Sequence, residues 1–319
     1  MTVYMKPLSP FLKSLPRSDT LFGGICWGIR WVFGEDVLTG LLERFGEGDP
    51  PFVLSSAFPC VEREGQRFHF VPKPLLSPSL GESGDLETLR ISKRFKKVRY
   101  LEREDFNDLL NGRVTYEELY QRFVSGRMEK SPEVRPFETP GNAINRLSGT
   151  VDEGRLFFSS EARVEGGGLF FLVRCNDRKV PDYIQGAVRF LGDRGIGGDA
   201  SVGRGAFEPE FAEEDVIEEP PHGNRCVALS LVHPTADDLG FLTGHREGLS
   251  YEMVKRKGHV ESMFMDTPRV WKETLLMFAE GSVFPVQGDR CIRGCAPVVH
   301  RDLFPVRQNG YAYAVRMVS

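Results

Sequence analysis

"GDRGIGGDASVGRGAFE" occupies residues 192–208, and six of its seventeen residues are glycine. What flanks it decides which fold can be built. Before it, "PDYIQGAVRFLGD" (181–193) places Pro181 in a first helical turn and repeats Ile184, Ala187, Phe190 and Leu191 at helical spacing. After it comes the strand-like "AFEPEF". Gly195-Ile196-Gly197-Gly198-Asp199-Ala200 matches G-x-G-x-x-A letter by letter. The dinucleotide fingerprint, however, needs a strand before it and a helix after it, so that phosphate meets a helix N-terminus. Here the order is reversed. Gly198 and Gly203 have P-loop spacing, but Arg204-Gly205 follows where lysine and a hydroxyl residue are required. Both nucleotide fingerprints are therefore rejected on context, and a nucleotide-binding enzyme stays only as a third hypothesis. Two readings of the loop remain open. Its N–H groups can form an anion-binding nest, with Arg204 between two glycines to meet a phosphate. Equally, it can be a plain mobile turn.

Working outward, residues 2–12 read as an opening strand. "SDTLFGGICWGIRWVFG" (18–34) reads as a buried helix with Ser18 or Asp19 as N-cap and Leu21, Ile25, Ile29 and Val32 on one stripe. A second helix over 36–48 closes at Gly46, and a strand follows over 50–60. Residues 61–100 show little periodicity. Short helices are expected at 104–112 and 115–123, and an excursion or linker at 125–142. Two strand-like runs within 155–177 surround Glu165-Gly166-Gly167-Gly168, a hairpin signal. "RCVALSLVHP" (225–234) alternates at Val227, Leu229 and Leu231 as a half-buried strand should, and "YAYAVRMV" supplies a last strand. The class is α+β.

The chain has 319 residues, 40% hydrophobic and 27% charged, ordinary for a globular protein. No run is long and apolar enough for a membrane span, and no secretory signal is visible, so a cytoplasmic protein with reduced thiols is expected. The net charge of −4 argues against non-specific nucleic-acid binding. The charge is segregated, though. "EPEFAEEDVIEEP" (208–220) carries seven acids and no base, and "SKRFKKVRY" (92–100) carries five bases and no acid. Solvated faces and partner-facing edges both fit this pattern.

Catalytic chemistry finds no anchor. There is no G-x-S-x-G and no H-E-x-x-H, and none of the six cysteines lies in a catalytic frame. Asp19, at a helix start, suits a cap better than an acid catalyst. His69, between Phe68 and Phe70, suits a strand interior better than a base-stacking surface. Cys291-x3-Cys295, His300 and His222-x3-Cys226 lack standard zinc spacing, so no metal or cofactor is expected. "PGNAINRLSGTVDEG" (140–154) is more specific: Asn142, Asn145 and Arg146 are polar readers just before a strand.

Four pieces in order carry a resemblance. They are Arg17-Ser18-Asp19-Thr20 opening a helix, "PPFVLSSAFP" about thirty residues on, "NAINRLSGTVDEGRLFF" at mid-chain, and the glycine loop after a helix. Together, over at least 17–210, they resemble the Csm-type RAMP subunit that caps the guide RNA in type III-A CRISPR interference complexes. The resemblance implies two ferredoxin-like (RRM-like) domains with insertions. The first would cover residues 1–140, with an insertion near 92–140, and the second 141–319 with the glycine loop. It implies a non-catalytic protein that holds the repeat-derived 5′ handle of the CRISPR RNA. Its partners would be the large polymerase-like subunit and the target-RNA-cleaving backbone subunit. Carried over by position, RNA contacts fall on Arg17, Ser18, Asn142, Asn145, Arg146, Gly195, Gly197, Gly198, Ser201, Gly203, Arg204 and Gly205. The family's histidine before Ser-Asp-Thr is Arg17 here. The rival reading is a RAMP-type endoribonuclease that processes repeat RNA, which needs a positioned histidine base.

Overall fold

The structure is a computed structural model of the chain and describes all residues except 13, 77–85, 145–146, 165, 198–199, 201–202, 261–269, 287, 289, 303–304 and 319. The chain opens with β1 (Thr2–Pro7), β2 (Phe11–Leu12), α1 (Ser18–Phe33), α2 (Glu35–Glu47), β3 (Phe52–Leu54), β4 (Phe58–Arg63) and β5 (Gln66–Pro72). It continues through α3 (Leu86–Lys97), β6 (Tyr100–Glu102), α4 (Arg103–Leu110), α5 (Tyr116–Val124), β7 (Val134–Ile144), β8 (Val151–Val164), β9 (Gly167–Cys175), α6 (Val180–Arg194) and β10 (Phe207–Ala212). The C-terminal third holds β11 (Arg225–Ala228), α7 (Ala236–Gly244), β12 (Met253–Arg256), β13 (Leu275–Phe278), β14 (Val283–Pro285), β15 (Val298–His300), β16 (Val306–Arg307) and β17 (Ala314–Met317).

The main sheet runs β10-β1-β9-β4-β5-β6, with β3 also on β9. Its adjacent pairs among β10, β1, β9 and β4 are all antiparallel. β1–α1–β4–β9–α6–β10 in the order β10-β1-β9-β4 is the ferredoxin-like β-α-β-β-α-β arrangement. The class is α+β, as the sequence indicates. This sheet takes strands from both sides of residue 140, and everything from β5 to β8 is inserted between its second and third strands.

Both faces of the sheet are covered. Val3, Met5, Leu169, Phe171 and Val173 point into one core with α1, α2 and α6. Tyr4, Phe170 and Leu172 point into the other, where they meet Phe95 of α3, Phe106 of α4, Leu119 of α5 and Val227 and Val315 of the β14-β11-β17 sheet. Successive residues of a strand face opposite ways, so "LFFLV" (169–173), apolar throughout, belongs to a strand buried on both sides.

α1 packs on α6 where both are small. A Cβ on Gly28 would stand 2.8 Å from the Ala187 Cβ. α2 runs on past Gly46 and ends at Gly48, whose φ of +84° is the left-handed cap that glycine allows. Neither Ser18 nor Asp19 caps α1. Ser18 is buried, and its Oγ accepts the Leu231 N–H at 3.0 Å. Asp19 accepts from Arg256 Nε at 2.8 Å and from the Gln308 amide at 3.0 Å. The polar start of α1 thus ties the helix to the C-terminal third.

Four segments depart from the sequence expectation. Residues 61–100 hold β5, α3 and β6, because buried His69 and Lys73 interrupt the apolar period. The expected linker contains β7, the edge of the β2-β8-β7 sheet, where Pro136 and Pro140 are tolerated. The two runs around residue 165 do form strands, but not a hairpin with each other: β8 pairs with β7 and β2, and β9 with β1, β3 and β4. Only Gly166 turns, with φ +65°, whereas a Cβ on Gly167 would stand 2.3 Å from the Cys60 carbonyl oxygen. β11 also differs, since Cys226 and Ala228 are buried as fully as Val227.

This packing is testable at two points. Gly28→Val should separate α1 from α6 and cost about 1–3 kcal/mol, read as a lower urea midpoint. Burial lowers the pKa of His69 from 6.5 to about 4. The unfolded chain therefore binds its proton first, and stability should fall as pH drops from about 6.5 to about 4. His69→Phe should flatten that part of a thermal-midpoint-versus-pH curve.

Candidate nucleic-acid interface

α6 ends at Arg194, and Gly195 turns the chain with φ +92°. A Cβ there would stand 2.2 Å from the Arg204 carbonyl oxygen. Gly205, at φ +69°, is its counterpart: a Cβ would stand 2.1 Å from the Ile196 carbonyl oxygen. The Ile196 N–H donates to the Gly205 carbonyl at 3.0 Å. The two arms of the loop touch backbone to backbone, which only glycine permits. Ile196 plugs into the first core against Gly24 of α1. The base of the loop is therefore fixed. Its rim is different: Gly197 and Gly203, at φ +94° and +86°, are exposed and have nothing within 4 Å of a would-be Cβ. Gly198 and Ser201 lie outside the described residues.

Arg204 does not stand free at the rim. Its guanidinium pairs with the Glu161 carboxylate of β8, whose side chain is only 5% exposed. The Gly205 N–H donates to the Pro10 carbonyl at 3.0 Å, and Ser9 Oγ accepts the Ala206 N–H at 2.9 Å. β2 in turn pairs Leu12 with Glu161. The glycine loop is thereby stapled to the root of the β7–β8 ribbon.

That ribbon extends far beyond its root. Asn142 is exposed and in register with Leu156, five residues or ~17 Å along β8 from Glu161. Around it Ile144, Leu156, Phe157 and Phe158 are all more than half exposed. Asn145 and Arg146 lie outside the described residues. Sequence reasoning missed this apolar surface, though it held a signal. Leu156-Phe157-Phe158 cannot alternate, so a two-stranded ribbon must leave part of it uncovered.

Arg17 and Ser18 sit elsewhere. The Arg17 guanidinium donates to Glu280, with Nε at 3.0 Å, and Ser18 is fully enclosed. The structure joins Gly195, Gly197, Gly203, Arg204 and Gly205 in one loop, with Asn142 farther out on the attached ribbon. It does not bring Arg17 or Ser18 to that loop's rim. His69 is enclosed too, with Nε2 2.6 Å from the Tyr4 hydroxyl and its ring edge-on to Phe170. Cys226 and Cys291 are hydrogen-bonded to each other, which holds the Cys291 thiol below the usual range. No group of three or more metal-ligating side chains occurs among the described residues, and no described helix is long and apolar enough to cross a membrane.

The surface on which RRM-type sheets stack bases is closed off, because Tyr4 and Phe170 are buried under the second core. What remains exposed on this ferredoxin-like unit is the loop rim and the ribbon. Solved structures share this fold. A Csm1–Csm4 cassette in complex with pppApA aligns with TM-score 0.64 at 24% identity, over 99% of this chain and 96% of that one. A Csm3–Csm4 subcomplex of the type III-A CRISPR–Cas interference complex aligns with TM-score 0.66 at 16% identity, over 100% and 99%. Residues 222–316 match the CRISPR Csm4 C-terminal domain. The CRISPR system Cms protein Csm4 of Thermococcus onnurineus (strain NA1) is 32% identical over 240 residues, 74% of this chain and 75% of that protein. The chain belongs to the Csm4 family of CRISPR proteins.

Removing Arg204 would strand a buried carboxylate. Arg204→Ala should cost about 3–5 kcal/mol in urea unfolding, and Arg204→Met with Glu161→Leu should recover most of it. Gly205→Ala should destabilise far more than Gly203→Ala, since only the former drives a Cβ into backbone.

Proposed function

We propose that this chain is a non-catalytic RNA-holding subunit of a type III-A CRISPR effector complex. It grips the repeat-derived 5′ handle of the CRISPR RNA. It also bridges the large polymerase-like subunit to the backbone subunits that cleave target RNA. One observation carries the reading: a loop whose base is immobilised by Gly195, Gly205 and Ile196 while Gly197 and Gly203 keep its rim bare. The Gly203 N–H is spent within the loop, donating to the Ala200 carbonyl at 3.0 Å, so phosphates would be held by the rim N–H groups that remain, on a rigid base that lowers the ordering cost of each binding event. Asn142, with Asn145 and Arg146 next along the chain, belongs to the ribbon arm of the same site, and Phe157 and Phe158 offer it stacking faces. Arg204 is then a positioning residue that locks the loop to β8 through Glu161. The partners are inferred from the family: the Csm4 chains of the similar structures assemble with Csm1 in one case and Csm3 in the other.

The endoribonuclease reading gains nothing from His69, which is sealed between Tyr4 and Phe170. Gly197→Asp and Gly203→Asp place a negative charge on the open rim, and Gly197→Ala and Gly203→Ala control for the strain that any side chain meets at φ +94° and +86°. Each aspartate variant should weaken binding of handle-bearing guide RNA by tenfold or more relative to its alanine control. Unchanged affinity in both would remove the loop from the site. Specific cleavage of labelled repeat RNA by the pure protein would support the endonuclease instead.

A further inference from the structure

The acidic strip is partly neutralised from within: Glu208 pairs with Lys6, Glu210 with Arg67 at 2.9 Å, Glu218 with Arg113 and Glu219 with Arg174 at 3.0 Å. Four of the seven acids that the sequence allowed to form a partner-facing edge are thus held by the protein's own bases. α3 is different. Arg90, Lys93, Arg94, Lys96 and Lys97, with Arg99 just beyond, are all exposed, and none makes an ion pair with a described residue.

The helix is nonetheless firmly seated. Phe95 is fully buried, edge-on to Tyr120 and tilted against Tyr116 and Phe123. Beneath it Lys73 is buried, its Nζ 4.7 Å from the Phe95 ring and donating to the Tyr116 hydroxyl at 2.9 Å. Burial, with the nearby Lys96 charge adding to it, lowers the Lys73 pKa to about 8. Like charges at i, i+3 and i+4 destabilise a helix, so Arg90, Lys93, Arg94 and Lys97 are held together against their mutual repulsion. They form a rigid cationic stripe ~10 Å long.

The position matters as much as the charge. α3 packs in the second core, on the sheet face opposite α1 and α6. β6 beside it is the far edge of the sheet from β10, five strand spacings or ~24 Å away. The glycine loop leads directly into β10. The stripe therefore cannot be part of the loop's own phosphate cradle.

We propose that α3 is a second, sequence-independent RNA contact that engages the phosphate backbone of RNA running past the opposite face of the subunit. The occupant is a polyanion because the stripe offers unpaired cations and no exposed aromatic ring or acceptor to read bases. It differs from the loop site in face, edge and chemistry: side-chain charge here, backbone N–H there.

The test compares two RNAs and two variants. The probes are a short oligouridylate lacking the handle, and a guide bearing it. The α3 variant carries Lys93→Gln, Arg94→Gln and Lys97→Gln, substitutions that keep good helix formers. With three phosphate-binding cations removed, oligouridylate affinity should fall about 100-fold at ~0.1 M salt, and the log–log salt slope should flatten by about 2. Gly203→Asp should weaken oligouridylate binding far less than the α3 variant does, and should weaken the handle-bearing guide more. In the assembled effector complex, photo-crosslinks from thiouridine-bearing RNA to residues 86–99 should disappear in the α3 variant. Unchanged affinity and slope would overturn the proposal. So would a loss confined to handle-bearing RNA, because the stripe would then belong to the handle site. Equal loss on Gly203→Asp would overturn the separation of the two sites.

Discussion

β9 has neighbours on both of its edges and apolar layers against both of its faces. It pairs with β1 and β4 along one stretch and with β3 at its far end. Leu169, Phe171 and Val173 leave it toward α1 and α6, while Phe170 and Leu172 leave it toward the inserted helices and the C-terminal sheet. At its start the three strands approach so closely that a Cβ on Gly168 would stand 2.8 Å from the Met5 carbonyl oxygen. Every other layer is placed by this strand. The helices cover one face because Phe171 needs burial. The C-terminal third covers the other because Phe170 does too. A sheet sealed on both sides offers no open face to a ligand, and that constraint places the proposed RNA contacts on loops and edges.

The same constraint explains which parts of the fold were legible from residues alone. Helices with a single wet face, such as α5 with Tyr116, Leu119 and Tyr120 on its dry side, announce themselves by period. α6 is likewise clear, down to its proline in the first turn. The inserted segment was opaque because its core positions carry His69, Lys73 and Glu102, residues that read as surface. Their burial is tolerated because His69 finds the Tyr4 hydroxyl and Lys73 finds the Tyr116 hydroxyl. Such pairing joins residues far apart in the chain, and no local window contains it. Glu165-Gly166-Gly167-Gly168 misled for a related reason. A glycine run marks either a turn or a close approach, and here a single glycine turns while the next two admit β4 and β1.

The site was legible in its glycines and not in its arginines. Gly195, Gly197, Gly203 and Gly205 do share one loop, and their division into a packed base and an open rim follows from where a Cβ would collide. Charge carries no such local signature. Arg17 and Arg204 look equally ready for phosphate in sequence, yet each is held by a carboxylate from a distant segment, Glu280 and Glu161. An arginine's availability is a property of the fold.

This sorting of paired from unpaired charge reconciles an acidic protein with the proposed RNA-holding role. Net charge sums over groups that cancel at contact distance and so act as dipoles beyond a Debye length of about 8–10 Å. Part of the acidic strip is of that kind: Arg67, Arg113 and Arg174 pair with Glu210, Glu218 and Glu219. An RNA strand approaching this surface meets the local field, and the local field over α3 is cationic because no described residue pairs with its charges. The chain can thus be acidic overall and still present a cationic ridge on α3. In the proposed RNA-holding role, that contrast favours selective contact over the non-specific binding of a uniformly basic surface.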